Sequence, residues 1–337
     1  MRYLRYILTA VLIALAIFVI YSKFKGSYYD IPLLFKEANK KLLWALVFFQ
    51  CLIYFSDGWL SRTLLRIAGF DINLRDTMTV AILGVLGGQF APLIGGTLIT
   101  YYFYKKLKIP SGAILFLVTS WTLLIWLSYF FFFLSSLFFL SKPYFLLIPS
   151  KVILLVLTLT VIVLILIFLL FKNQGRGFVS FLDFFVKPIN KLGKRIKKGN
   201  LINPGNPKNF VDDLYKSFGL LAANKKKIPQ VLLASLLFYF GNIASLYFCF
   251  LVFGFHPPLA VLIFGFTISL ILTVFTLMPE TPGVMEASLA VVFLNLGFPP
   301  HIALFSSLLF RIFSYWLPLP LGIFSYFRLK GRNKVLE

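Results

Sequence analysis

The chain has 337 residues, of which 60% are hydrophobic and 18% aromatic, and its mean hydropathy is +0.90. A water-soluble domain of this size cannot bury so much apolar surface, so lipid must form part of its solvent. The formal net charge is +22, but the basic residues gather between the apolar runs. Because cytoplasmic loops of membrane proteins are rich in Lys and Arg, the charge indicates membrane topology rather than nucleic-acid binding.

Six apolar stretches are long enough to cross a hydrocarbon core of about 30 Å. They cover residues 4–22, 42–60, 111–139, 149–171, 229–254 and 300–327. The first follows Arg2 and Arg5 and lacks a small-residue cleavage site after Ile20, so we expect an uncleaved span rather than a signal peptide. The predicted fold is an all-α polytopic membrane protein that forms one integral membrane domain over residues 1–337.

Two further apolar segments, residues 77–104 and 259–297, are interrupted by Gly and Pro. These residues weaken or break helices, so each segment is expected to dip to the midplane and return as a pair of half-helices. The alternative is a single crossing with a deep kink. The residues at the breaks are Pro92, Gly95 and Gly96 in the first half and Pro279, Pro282 and Gly283 in the second.

The polar segment 172–228 carries thirteen Lys or Arg against three Asp, which predicts a cytoplasmic loop. It separates a first half, residues 1–171, from a second half, residues 229–327. With two re-entrant hairpins, both termini, including the tail 328–337, also fall on the cytoplasmic side. The segment 23–41 is the misfit, because it would be external despite five lysines.

An internal repeat is suggested by an offset of 190 residues. This offset pairs three residues of infrequent types: Pro92 with Pro282, Pro110 with Pro300, and Trp126 with Trp316. With the topology above, the two halves would have opposite orientations, as in many secondary transporters whose substrate sites lie at the midplane. Chance matching in a biased composition is the alternative.

Three charged residues stand out in the apolar second half: Glu280, Glu286 and Arg311. Charges at bilayer depth are costly, so they usually face a cavity and find a partner. A half-helix that begins near Gly283 would point free N–H groups and its positive dipole end at an anion. Arg311 can add a planar fork of donors, and Glu286 can neutralise it when no substrate is bound. The alternative is a permanent Glu286–Arg311 pair that locks two helices together.

In the first half, Gln89 is the strongly polar side chain near the break and is a candidate contact to a lipid headgroup. Gly95 and Gly96 can instead serve close helix packing. We interpret Asp57, near the expected inner end of the 42–60 span, as an interfacial residue. Cys51 and Cys249 lack metal-ligand spacing, so neither a metal site nor a cofactor is expected.

One run of residues resembles a known family. Pro279-x-x-x-Gly283-Val284-Met285-Glu286, then Gly297, then Arg311-x-x-x-Tyr315-Trp316-x-Pro318, is similar to the flippase-like family that also forms the transmembrane region of bacterial lysylphosphatidylglycerol synthases. The family has two glycines where Glu280 and Thr281 stand, and Leu where Pro282 stands. The resemblance implies a multi-pass protein of a prokaryotic cytoplasmic membrane whose partners are lipids, with Tyr315 beside Arg311 at the site. An aminoacyl-transferase activity is not expected.

The leading functional hypothesis is a flippase that moves an anionic phospholipid or a polyprenyl-phosphate-linked glycolipid between leaflets. No catalytic constellation or nucleotide motif is present in the sequence, so we expect a protein that is not an enzyme. Two alternatives remain open at this point: a membrane-embedded lipid-modifying transferase, and a scaffold for a lipid-biosynthesis enzyme. The oligomeric state is left open by the sequence.

Overall fold

The computed structural model describes residues 36–90, 95–140, 223–275 and 283–333, together with the isolated positions 158, 219 and 220. Every regular element in these ranges is helical. The longer helices are α1 (Leu43–Ile67), α2 (Leu74–Phe90), α3 (Gly95–Lys106), α4 (Ser111–Phe139), α5 (Ile228–Val252), α6 (Leu259–Phe275), α7 (Val284–Asn295), α8 (Pro300–Arg311) and α9 (Pro318–Asn333). The predicted all-α polytopic membrane fold is confirmed.

Four helical stretches in the described ranges are long and apolar enough to cross a membrane: Lys40–Ile67, Ser111–Phe139, Lys225–Val252 and Pro300–Ser325. They coincide with the predicted spans at 42–60, 111–139, 229–254 and 300–327, which are thereby confirmed. The other two predicted spans, 4–22 and 149–171, lie outside the described residues, and so does nearly all of the basic loop 172–228.

The first of these four spans is longer than the sequence predicted, because α1 continues from position 60 to Ile67. It ends where Gly69 adopts a φ of 92°, a left-handed conformation that glycine enters at little cost. The Phe70 N–H then donates to the Leu65 carbonyl at 2.8 Å, which closes a Schellman motif. The basic residues after position 60 do not stop the helix, since long cationic side chains can reach water while the backbone stays helical.

Helices of equal length follow one another in the same order in the two halves of the described chain. α1 and α5 have 25 residues each, α2 and α6 have 17, and α3 and α7 have 12. Their ends also correspond, because positive φ occurs at Gly69 and Gly254 after the first pair and at Lys108 and Gly297 after the third. The offset is therefore 185 residues for the first two pairs and 189 for the third.

The offset of 190 predicted from the sequence is wrong by one residue at the start of α4 and α8. Pro110 caps the N-terminus of α4, and Pro299, not Pro300, holds that place in α8. The offset changes along the chain because the α2–α3 break spans residues 91–94, whereas the α6–α7 break spans residues 276–283.

Packing brings the two halves together in a reciprocal way. α1 lies along α5, α2 packs against α9 and α6 packs against α4. Two apolar clusters form the core, one mainly from α5 to α8 and the other mainly from α1 to α4. Each half thus has its own core and is closed by the last helix of the other half.

Glycines let the short helices approach their neighbours closely. A Cβ atom on Gly96 would lie 2.8 Å from the carbonyl oxygen of Gly84, and one on Gly87 would lie 2.5 Å from that of Gly95. The interpretation of Gly95 and Gly96 as close-packing residues is therefore confirmed. Pro92, the third residue predicted for this break, lies outside the described residues.

Candidate functional site

Glu286 and Arg311 form a buried ion pair between α7 and α8. Glu286 is the third residue of α7 and Arg311 is the last residue of α8. The Nε of Arg311 donates to Oε1 of Glu286 at 3.3 Å, and the two side chains are only 10% and 6% exposed. Arg311 lies eleven residues after Pro300, about 16 Å along the helix axis and so near half the thickness of the hydrocarbon core. The predicted pairing of these two residues is confirmed.

The N-terminus of α7 holds the Glu286 carboxylate in place. Gly283 precedes the helix with a φ of 89°, and its N–H donates to Oε2 of Glu286 at 2.9 Å. A glutamate three residues after the cap, bonded back to the cap N–H, is one half of a capping box. The two carboxylate oxygens therefore have separate partners, one the backbone and the other the guanidinium.

Arg311 retains an unused donor. Its Nη2 is buried and has no hydrogen-bond partner in the described part of the chain. The guanidinium lies over the ring of Tyr315, with 4.4 Å between Cζ and the ring centroid, so one face of the cation is covered by an aromatic surface. The remaining nitrogen can donate to an anion oxygen without breaking an existing bond.

The helix that carries Arg311 changes its winding immediately after it. Residues Ile312–Trp316 form a π-helical turn, in which the Leu317 N–H donates to the Ile312 carbonyl at 2.8 Å. Pro318 follows and has no N–H of its own, which prevents a regular α-helical ladder at this point. Such π turns within helices are frequent at functional sites. Here the turn brings Tyr315 under the guanidinium.

The remaining predicted site residues are not brought together by the described structure. Pro279, Glu280 and Pro282 lie outside the described residues. Gln89 belongs to α2, and its predicted contact with a lipid headgroup stays a prediction. The site that can be described thus consists of Gly283, Glu286, Arg311 and Tyr315.

A second buried polar contact, between Asp57 and Trp121, was missed from the sequence. The indole Nε1 of Trp121 on α4 donates to Oδ1 of Asp57 on α1 at 2.7 Å. Because α1 continues to Ile67, Asp57 lies ten residues, or about 15 Å, from the end of its helix. The interpretation of Asp57 as an interfacial residue is therefore wrong.

Together the fold and the site define a class: a multi-pass α-helical membrane protein with an ion pair buried where two interrupted helices meet. Residues 6–322 match the family described as the Lysylphosphatidylglycerol synthase TM region, and the chain belongs to that family. The family relates the chain to the synthesis and flipping of membrane lipids. Among the curated proteins, none matches the chain.

Proposed function

We propose that this protein moves an anionic lipid between the two leaflets of the membrane and that Arg311 binds the lipid phosphate. The observation that carries the proposal is the buried Nη2 of Arg311, which has no acceptor in the described part of the chain. A buried donor without a partner is costly, and more so when it is charged. An anion oxygen that reaches this nitrogen removes that cost.

The neighbouring contacts support an exchange of partners. A phosphate that takes both Nε and Nη2 gains the bidentate geometry that suits a guanidinium. Glu286 then leaves Nε but keeps the Gly283 N–H, which holds its carboxylate at 2.9 Å. The first turn of α7 adds backbone N–H groups and the positive end of the helix dipole. The carboxylate therefore acts as an internal substitute for the lipid phosphate.

We further propose that α2–α3 and α6–α7 are re-entrant hairpins in two inverted repeats. The equal helix lengths and the corresponding helix ends of the two halves support this arrangement. At 12 residues each, α3 and α7 are about 18 Å long, well short of a hydrocarbon core of about 30 Å. In transporters built in this way, the substrate binds between the broken helices at the midplane.

The proposed location is a prokaryotic cytoplasmic membrane, with both termini on the cytoplasmic side. The proposed cargo is an anionic phospholipid or a polyprenyl-phosphate-linked glycolipid, because both present a phosphate on an apolar chain. In this proposal the protein is a transporter and performs no covalent chemistry on the lipid.

The proposal is tested by leaflet exchange of lipid analogues in proteoliposomes. Arg311→Lys keeps the positive charge but loses the planar fork of donors. Exchange of anionic analogues should fall roughly ten- to hundredfold per folded protein, the loss expected for one charge-assisted hydrogen bond. Exchange of zwitterionic analogues gives the reference for selectivity.

Arg66→Lys is the matched control, because Arg66 is an exposed arginine whose Nε bonds Asp71 at 2.7 Å, away from the site. Its exchange should equal that of the wild type. Equal exchange by wild type and Arg311→Lys for every anionic analogue would contradict the phosphate site and favour a scaffold. A modified lipid product seen by mass spectrometry would favour a transferase instead.

A further inference from the structure

A stripe of polar side chains runs along one face of α1. Gln50, Tyr54, Asp57 and Ser61 follow one another at spacings of four, three and four residues, which places them on the same face of a helix. Gln50, Tyr54 and Ser61 are buried, and Asp57 is partly buried. The stripe is about 16 Å long, half the thickness of a membrane core. We refer to these four residues as the α1 polar stripe.

Asp57 accepts hydrogen bonds from neutral groups. Trp121 donates its indole N–H at 2.7 Å, and the Ser61 hydroxyl, one turn further along α1, is a second donor. In the described part of the chain no Lys or Arg lies within ion-pair distance of Asp57, whereas Asp71 and Glu286 each bond a guanidinium. Asp57 therefore differs from these two carboxylates in having no cationic partner there.

The position makes a permanent negative charge unfavourable. A carboxylate about 15 Å inside a membrane helix is costly unless it is paired or neutralised. Hard metal cations take six or more oxygen ligands, but Asp57 meets a single hydroxyl and an indole N–H that already points at Oδ1. A neutral carboxylic acid fits these partners, because one oxygen accepts from Trp121 while the other carries the proton.

The second half of the chain provides an internal comparison. Asp57 is the fifteenth residue of α1, and Asn242 is the fifteenth residue of the equally long α5. Asn242 is the neutral amide of the same shape, and its side chain donates to the Phe238 carbonyl of its own helix at 2.9 Å. Since the corresponding position of α5 holds the amide, we expect Asp57→Asn to fold.

We propose that Asp57 binds and releases a proton during transport, so that lipid movement is linked to the proton gradient across the membrane. This inference rests on the proposed function. In the step itself the O–H bond of the carboxylic acid breaks, the proton passes to bulk water on one side, and it is regained from water on the other. The ionisable groups around Asp57 are Tyr54 on its own helix and Tyr104 on α3, with Asp76 of α2 next to Tyr104.

The α1 polar stripe offers a route for this proton. The Tyr54 hydroxyl and the Gln50 side-chain oxygen are buried with open hydrogen-bonding capacity, and both lie on the side of Asp57 towards the start of α1. Ser61 and Tyr104 lie on the other side and interact with each other. Buried polar atoms in such a line are suited to hold water molecules that relay a proton.

Infrared difference spectra of the purified protein, recorded over a pH titration, test the proton site without any transport. The wild type should show the C=O band of a protonated carboxyl group that disappears at high pH, and Asp57→Asn should lack that band. Asp71→Asn is the control, because the Arg66 guanidinium holds the pKa of Asp71 below its usual range and keeps it ionised. A band that survives in Asp57→Asn, or is absent in the wild type, would overturn the assignment.

Proteoliposomes with an imposed pH difference test the coupling. For one proton per lipid, a difference of one pH unit supports up to about a tenfold difference in lipid between the leaflets. The wild type and Asp57→Glu should build such an asymmetry, and Asp57→Asn should not. Lipid exchange by the wild type that ignores the pH difference would overturn the coupling and leave the proposed function standing. A wild type that moves no lipid would instead contradict the proposed function, while the infrared band still decides whether Asp57 carries a proton.

Discussion

At the scale of single residues, the contact between Arg311 and Glu286 is better suited to exchange than to permanent locking. Only Nε of the guanidinium bonds the carboxylate, at 3.3 Å, and Nη2 is left without a partner in the described part of the chain. A pin between two helices would be expected to use the bidentate geometry that arginine and carboxylate favour. The second carboxylate oxygen is held by Gly283, so Glu286 keeps a partner when it leaves Arg311.

The energetic coupling of this pair is a testable consequence. Arg311→Met leaves the buried Glu286 carboxylate without its cation, and breaking a buried pair in this way costs about 3–5 kcal/mol. The double variant with Glu286→Gln removes both charges and should be less destabilised than Arg311→Met alone. The unfolding free energies of wild type, both single variants and the double variant in mixed micelles complete the cycle. Additive losses would show that the two side chains do not interact energetically.

The residue-level contacts divide into those that sequence reasoning can find and those that it cannot. Glu286 and Arg311 could be paired because fully charged residues are rare in the long apolar stretch around them. The contact between Asp57 and Trp121 joins residues 64 positions apart, and its donor is a neutral group. Tryptophan is common in membrane helices for many reasons, so only the packing of α1 against α4 reveals this partner.

At the scale of helices, hydropathy predicted where the apolar spans lie but not where each helix ends. The ends depend on short-range geometry, such as the left-handed conformations of Gly69 and Gly254. Lys108 takes the same conformation without being glycine, and the Ile109 N–H closes the cap on Tyr104 at 3.1 Å. A basic residue in a left-handed cap carries no clear sequence signal. The π turn after Arg311 depends on Pro318 and on local packing, and it was not predicted either.

The approach of α2 and α3 gives a prediction at this scale. A Cβ atom on Gly87 would lie 2.5 Å from the backbone oxygen of Gly95, which cannot move aside easily. Gly87→Ala should therefore destabilise the protein by about 1–3 kcal/mol, the usual cost of overpacking. The loss should appear as a lower midpoint of thermal unfolding in detergent.

Gly84→Ala on the same helix is the matched control. Its Cβ atom would meet the hydroxyl oxygen of Thr100 at 3.1 Å, the end of a side chain that can rotate away. The change also removes a helix-weakening glycine, so its unfolding midpoint should stay near that of the wild type. Equal losses in the two variants would show that the close approach of α2 and α3 does not set the stability of this pair.

At the scale of the whole molecule, corresponding positions of the two halves carry different charges. α1 has Asp57 where α5 has Asn242, and the ion pair of Glu286 and Arg311 belongs to α7 and α8. An arrangement of two similar halves with different polar groups suits a division of labour. In our proposals one half binds the lipid phosphate and the other binds the proton, and the reciprocal packing of the halves supplies the physical link between the two sites.

The orientation of the halves gives the last prediction. Asp71 in the α1–α2 turn and His256 in the α5–α6 turn are exposed and 185 residues apart, the same offset as their helices. Inverted repeats place these two turns on opposite sides of the membrane. In a background with Cys51 and Cys249 replaced by alanine, a membrane-impermeant thiol reagent should label Asp71→Cys from the cytoplasmic side and His256→Cys from the outside. Lys105→Cys, beyond the hairpin, should react on the same side as Asp71→Cys. Labelling of position 105 from the outside would mean that α2 and α3 cross the membrane, and the inverted repeat would fall with the hairpin.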